Sequence, residues 1–363
     1  MRILHAILSQ GFYGSERYCI ELAIAQAQAG HAVAIIGQDG ASDCAREFQQ
    51  QIDAENVGAG KIDARTRGAV DLYVIPAWVP AWLHRPIAYW WVRRFSADIV
   101  HTHLNPAARR IGTMAQWLGI PHVATVLINY DAREHDHCDG LIALASWQKA
   151  CFPPMLQPKV AVIHPWVPGE VLKVLSDAAS DETTVLRRRW HADGAMVFGS
   201  VGRLAPEKGM DVLIAAFRAA FPTGVEPVRL VIVGEGPQRS HLEELAHGDS
   251  RVILAGPQSR IGVFYRAFDV FVSAARFEPF GIAILEAMAA DLPIVVTRTD
   301  GPREFVSDDR VLWADTGDEV SLASRLKDAV VVGRTRYQYD LAGFSRARVA
   351  EAIEVYYHKL LQF

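Results

Sequence analysis

Short apolar runs of strand length alternate with longer helix-patterned stretches along this chain, and the alternation stops once and begins again. Residues Met1–Leu8 (MRILHAIL) read as a buried strand, Gly11–Ser15 as a glycine-containing loop, Glu16–Ala29 as an alanine-rich helix ended by Gly30, and His31–Gly37 as the next strand. Strand, loop, helix, strand is one βαβ unit. Strands are expected again at Ile99–Thr102, His122–Leu127, Gly140–Leu144 and Val160–His164, with a helix over Pro106–Leu118. Between Pro165 and Asp193 the pattern weakens and charge gathers in DETTVLRRRWHADG. A second series starts at MVFGSVGRL, followed by a helix over Asp211–Ala220 and the strand VRLVIVG. Further strands are expected at Arg251–Ala255, Val270–Ser273 and Pro293–Thr297, with a helix over Gly281–Ala290. Such alternation predicts parallel sheets covered by helices on both faces, so the fold class is α/β. Two series predict two domains, with the binding crevice at the carboxyl ends of their strands.

The length agrees, since 363 residues exceed what one hydrophobic core usually organises. The expected organisation is a first domain over 1–165, a linker region over 166–195, a second domain over 196–345 and a terminal helix over 346–363. That helix, in GFSRARVAEAIEVYYHKLL, carries Val349, Ile353, Tyr356 and Leu360 at helical spacing. A formal net charge of −4 gives no global reason to bind nucleic acid, and none is expected. The four cysteines, Cys19, Cys44, Cys138 and Cys151, form no C-x-x-C pair and no disulfide-framework spacing, which fits a reducing cytoplasm. The first residues are too brief an apolar run for a signal peptide, and no stretch is long enough to span a bilayer. Lying on a membrane surface stays open. Residues 75–95, IPAWVPAWLHRPIAYWWVRRF, hold four tryptophans with Arg85, Arg93 and Arg94, a composition suited to a bilayer interface. The alternative is that these rings pack a helix on the first sheet, and Pro76, Pro80 and Pro86 argue against one continuous amphipathic helix.

The most informative segment is EPFGIAILEAMAADLPIVV, where seven residues separate Glu278 from Glu286. Around it stand VGRLAPEKG (201–209), LVIVGEGP (230–237) and FYRAFDVFVSAARFEPFG (264–281). In order and spacing these segments resemble glycosyltransferase family 4, strongly over about Val197–Val306 and more weakly over Met1–His164. The resemblance implies a GT-B fold, two Rossmann-like domains facing each other across a cleft. It implies retaining transfer from a nucleotide-diphosphate sugar to a glycan or lipid-linked acceptor, with the donor on the second domain and the acceptor on the first. Cell-surface polysaccharide or lipopolysaccharide synthesis is the expected setting.

Elementary chemistry supports the same reading of the donor residues. Phe280-Gly281-Ile282 lies at a helix start, where unpaired N–H groups and the helix dipole favour an anion such as a diphosphate. By resemblance, Glu286 accepts from ribose hydroxyls and Glu278 faces the transferred sugar. Arg203 and Lys208 leave a strand five residues apart, where both cations can converge on one phosphate. The family implies that they neutralise the leaving group. No D-x-D occurs, so no metal is expected to hold the donor and no cofactor is expected. Gly234, Gly236 and Pro237 end a strand and let backbone approach a flat ligand.

In GFYGSER (11–17), similar to the family's first glycine-rich loop, Gly14 and Ser15 are donor-binding candidates, with Ser15 expected to cap the helix that Glu16 begins. Tyr13 departs from the adjacent glycines common there. DIVHTHLNP (98–106) offers His101, His103 and Asn105 on the acceptor side, although alternating histidines make a poor metal site without further ligands. Leu127 stands where the family usually places a histidine near the reacting sugar, and Asn129 is the nearest polar substitute. These departures motivate the alternative of a silent protein that binds a nucleotide sugar or a partner transferase. The cluster REHDHCDG (133–140) carries His135, His137 and Cys138, but its spacing matches no zinc pattern and no metal is expected. Asp291 replaces a turn glycine, which aspartate tolerates in left-handed geometry.

Overall fold

A computed structural model describes residues 1–9, 14–38, 49–50, 52–53, 70–76, 78–176 and 181–362. The chain divides into two compact units, Met1–Pro165 with Gly343–Phe363, and Trp166–Ala342. Each is built on one parallel sheet.

In the first unit the strands are β1 (Arg2–Ile7), β2 (Ala32–Gln38), β3 (Val70–Ile75), β4 (Ile99–His103), β5 (His122–Val126), β6 (Gly140–Ala143) and β7 (Val160–Val162). Their spatial order is β3-β2-β1-β4-β5-β6-β7. In the second, β8 (Met196–Val201), β9 (Val228–Val233), β10 (Val252–Gly256), β11 (Val270–Ser273), β12 (Ile294–Thr297) and β13 (Leu312–Ala314) lie in the order β10-β9-β8-β11-β12-β13. Both are doubly wound orders, in which the direction of winding reverses beside the first strand. The alternating residues explain why both faces need helices. In β9, Leu230 and Ile232 enter one core while Val231 and Val233 enter the other. In β2, Ala34 and Ile36 face one side and Val33 and Ile35 the opposite side. Strands buried on both faces are the signature of a parallel sheet.

Several local expectations change. The first helix runs Gly14–Gln28, so Ser15 lies inside its first turn and donates to the Glu16 carboxylate at 2.8 Å instead of capping it. Tyr13 and Gly11 lie outside the described residues. The helix expected over Pro106–Leu118 is present as one run that begins at Asn105–Ala107, widens into a π-helical turn at Ala108–Gly112 and continues over Thr113–Trp117. Residues 166–195 contain helices Gly169–Ser176 and Asp181–Arg189, which pack on helix Ile261–Ala267 of the second unit. Asp291 takes a left-handed φ of 57°, the conformation its turn requires.

The terminal helix, Arg346–Leu361, belongs to the first unit. Its Tyr357 hydroxyl meets His101 Nδ1 at 2.5 Å, Tyr356 Oη accepts from the Leu141 N–H at 3.0 Å, and Glu354 reaches His31 at 3.1 Å.

Candidate donor site of the second unit

The residues picked from the sequence of the second domain gather at the carboxyl ends of β8, β9 and β11, where the strand order reverses. Open α/β sheets bind their ligands at this place, because helices do not cover the strand ends there.

Lys208 sits in a short 3₁₀ turn, Pro206–Lys208, after β8. Its Nζ donates to Glu278 Oε2 at 2.6 Å, and both side chains are largely screened from water. Arg203, five residues earlier, is 59% exposed and pairs with Glu207. The two cations expected to converge therefore hold different carboxylates. Gly234, after β9, has φ +144°, and a Cβ there would lie 1.9 Å from the carbonyl oxygen of Gly202. Only glycine lets these two strand ends lie so close.

Glu278 leads through Pro279 and Phe280 into the helix Ile282–Ala289, whose N-cap is Gly281 at φ +110°. Phe280 is buried and stacks on Phe305 with 4.5 Å between ring centres, which fixes where the helix begins. The Gly281 side of this helix presents first-turn N–H groups with no side-chain cap. Such a helix start attracts anions. Glu286, one turn in, is buried, and its Oε2 accepts from the Tyr265 hydroxyl at 2.6 Å. Tyr265, on helix Ile261–Ala267, was part of a segment singled out in the sequence but carried no assigned role. Nothing in spacing joins it to Glu286, because the two lie 21 positions apart with a strand between them. Gly301 was also missed. Its N–H donates to the Glu278 carbonyl at 3.2 Å, and a Cβ there would lie 2.6 Å from the Phe280 backbone.

The first unit gives its candidates a different environment. His101 is fully buried, with Nδ1 on the Tyr357 hydroxyl and Nε2 on Thr125 Oγ1 at 2.7 Å. His103 is fully buried too, bonded through Nε2 to His5 Nδ1 at 3.1 Å, while His5 Nε2 meets Gln26 Oε1 at 2.7 Å. Burial holds the pKa of His5 down to about 4, and burial with neighbouring imidazoles pushes His101 and His103 well below the ordinary histidine value. Neither His101 nor His103 reaches the surface; of the three acceptor-side candidates, Asn105 alone is exposed. Leu127 follows β5 and is half-buried, and Asn129 is exposed beyond it. Gly14 opens the first helix and is exposed.

In residues 75–95, Trp78, Trp82 and Trp90 are 81%, 74% and 59% exposed. Only Trp91 packs inward, stacked on Tyr73 of β3 at 5.4 Å. Arg93 and Arg94 are exposed on helix His84–Phe95, with Arg94 over the Trp90 ring at 5.6 Å. Ala77 lies outside the described residues.

Two parallel α/β units with doubly wound sheets define the GT-B class. The crystal structure of Anabaena HepE in complex with UDP and glucose matches at a TM-score of 0.70 with 17% identity, covering 99% of this chain and 97% of that one. Residues 195–330 match the family described as Glycosyl transferases group 1, and residues 12–168 match Glycosyltransferase Family 4. A GDP-mannose-dependent alpha-mannosyltransferase of Mycobacterium tuberculosis (strain CDC 1551 / Oshkosh) is 30% identical over 273 residues, 69% of this chain and 68% of the relative. The lipopolysaccharide core biosynthesis glycosyltransferase LpsE of Rhizobium meliloti (strain 1021) is 34% identical over 172 residues, 44% of this chain and 49% of the relative. The chain belongs to glycosyltransferase family 4 and is a glycosyltransferase.

Proposed function

We propose that this protein transfers a hexosyl group from a nucleotide-diphosphate sugar to a glycan or lipid-linked acceptor, with retention at the anomeric carbon and without a metal at the donor. The setting is cell-surface polysaccharide or lipopolysaccharide synthesis, and lipopolysaccharide core biosynthesis is the work named for the LpsE relative. The second unit takes the donor and the first the acceptor. The observation that carries this reading is the 2.6 Å contact of Lys208 with Glu278 beside the uncapped start of helix Ile282–Ala289. One cation, one carboxylate and one cluster of N–H groups lie together where a sugar joined to a diphosphate presents hydroxyls and negative charge.

In this scheme the helix start and Lys208 bind the diphosphate, Arg203 leaves its exposed pair with Glu207 to join them, and Glu278 accepts from sugar hydroxyls. Glu286, held by Tyr265, accepts from the ribose. The bond from the anomeric carbon to the β-phosphate oxygen breaks as the acceptor oxygen bonds to the same face. The departing phosphate oxygen takes the acceptor proton, so the products are a retained glycoside and a nucleoside diphosphate. Positive charge at the leaving group does what a divalent ion does in metal-dependent transferases.

GDP-mannose is the first donor to test, since it is the donor named for the Mycobacterium tuberculosis relative, and UDP-sugars follow because the Anabaena neighbour holds UDP. The exposed tryptophans and arginines of residues 75–95 support contact with the cytoplasmic membrane face. Among the described residues no helix is long and apolar enough to cross a membrane.

The experiment is a thermal-shift and hydrolysis screen against GDP-, UDP-, ADP- and dTDP-sugars with EDTA, run beside Glu286→Ala. One sugar nucleotide that raises the melting temperature, is slowly hydrolysed without metal and loses both effects in the variant is the expected result. No response to any of them would overturn the donor site, and an inverted product by NMR would overturn retention.

A further inference from the structure

The loop that the sequence offered as a poor metal site is completed by a residue from elsewhere. His137 and Cys138 lie between a short helix, Ala132–His135, and β6. His122, the first residue of β5, joins them, and one ligating atom from each of the three lies within 4.8 Å of the others. His135, the third of the residues that the segment offered, is turned to other work: its Nδ1 accepts from the Asp131 N–H at 2.9 Å.

The hydrogen bonds around the two imidazoles fix their tautomers. His137 Nε2 faces the Ala108 carbonyl at 3.2 Å, and a carbonyl only accepts, so Nε2 carries the proton and Nδ1 the lone pair. His122 Nε2 lies 2.8 Å from Thr102 Oγ1, whose hydroxyl donates to the Val123 carbonyl at 3.4 Å. That hydroxyl therefore accepts from His122 Nε2–H, and His122 Nδ1 also keeps its lone pair. His122 Nδ1 is buried with no hydrogen-bond partner, the kind of orphan that native interiors seldom leave without a reason. Metal-binding histidines donate their other ring N–H to a carbonyl, carboxylate or similar acceptor in this way.

The backbone is shaped to admit the ring. A Cβ on Gly112 would lie 2.0 Å from His122 Cε1, and Gly112 ends the π-helical turn whose first residue, Ala108, supplies the carbonyl to His137. Turns of this kind recur at functional sites. Charge agrees with the geometry. Glu134, Asp136 and Asp139 surround Cys138, with Lys159 and Arg109 as the nearby cations, and Glu134 Oε2 is buried without a hydrogen-bond partner.

We propose that His122, His137 and Cys138 bind a zinc ion in the first unit, with a solvent water in the fourth position. Two imidazoles and a thiolate are the ligand set zinc prefers. Binding forms the S–Zn bond as Cys138 gives its proton to solvent. Half-buried His137 provides the way in. The site lies outside the proposed donor machinery, and the inference does not rest on the glycosyl-transfer reading.

The test is cobalt(II) titration of the full chain, made metal-free and kept reduced, followed by absorption spectroscopy and by zinc displacement. Expected are one equivalent with a thiolate-to-cobalt charge-transfer band, its loss in Cys138→Ser and in His137→Gln, and its survival in Cys19→Ala and Cys151→Ser. Thr102→Val, acting through His122, is expected to weaken binding by about 10–100-fold. Far-ultraviolet circular dichroism checks folding, and His137→Gln, at a half-buried position, serves if Cys138→Ser does not fold. A wild-type protein that folds but gives no band would overturn the proposal. So would a band that survives both ligand substitutions, or one lost in Cys19→Ala, which would move the ion to the buried group His5, Cys19 and His103.

Discussion

Tyr265→Phe removes a single oxygen from the proposed donor site. The ring keeps its neighbours Phe268 and Phe271, whose centres lie 6.1 and 5.8 Å away, so apolar packing is preserved. What is lost is the 2.6 Å donation to Glu286, a carboxylate that is 6% exposed and replaces the bond with water poorly, together with a longer contact of the same hydroxyl to the Ala283 carbonyl at 3.2 Å. A hydrogen bond to a charged group contributes about 1.5–3 kcal/mol. In a unit of this size each kcal/mol is worth roughly 2–4 °C, so differential scanning fluorimetry should find the melting temperature lowered by about 3–12 °C. Tyr265 is a positioning residue in this account, acting on the donor through Glu286. Its loss should raise the donor KM by about tenfold, the equivalent of about 1.4 kcal/mol, while kcat falls less. In the Glu286→Ala background the same substitution should cost less, because the side-chain acceptor it served is gone. A melting temperature and donor KM that both stay at wild-type values would refute the claim that this hydroxyl holds Glu286.

Lys208→Met should lower kcat by about 10²–10³-fold if Lys208 stabilises charge on the leaving phosphate, and steady-state rates near wild type would exclude that role. Gly234→Ala drives a Cβ to 1.9 Å from the Gly202 carbonyl, so overpacking of about 1–3 kcal/mol should appear as a lower melting temperature; an unchanged one would mean that the strand ends separate freely. The buried histidines make stability depend on pH. In the metal-free chain burial, by disfavouring the charged ring, holds the pKa of His5 and His135 down to about 4 and that of His122 down to about 3. Their unfolded values lie near about 6.5, so below that pH the unfolded chain binds more protons. Their contribution is then complete above about pH 6.5 and falls from there to about pH 4 for His5 and His135 and to about pH 3 for His122, by up to about 1.4 kcal/mol per pH unit for each. Urea midpoints that do not change between neutral and mildly acid pH would contradict this. Arg93→Glu with Arg94→Glu should reduce co-sedimentation with anionic vesicles, and undiminished binding would remove residues 75–95 as the membrane contact.

Much of this was legible in order and spacing. Short apolar runs alternating with helix-length stretches placed most strands of both sheets, and the run from Val201 to Glu286 resembled the family in order and spacing. Signals carried by neighbours in sequence survive in a string of letters. β3 was missed because Val70–Ile75 contains Asp71 and is only partly buried, so it lacks the continuous apolar run of an inner strand. Ser15 was misread as a cap because a helix end shifts by a residue or two without changing its composition. The His101–His103 pair looked like a site because alternation on a strand says nothing about depth. Folding sets both at zero exposure and joins His101 to a tyrosine 256 residues away.

The sequence by itself determined the two α/β series, the family and the segments that gather at the strand ends, because these follow from local periodicity and contiguous motifs. The tertiary structure alone decided that Tyr265 meets Glu286, that Lys208 meets Glu278, and that His122 stands beside His137 and Cys138. Each is a contact between elements far apart in the chain, set by how helices and strands pack, and spacing along the chain does not encode such distances.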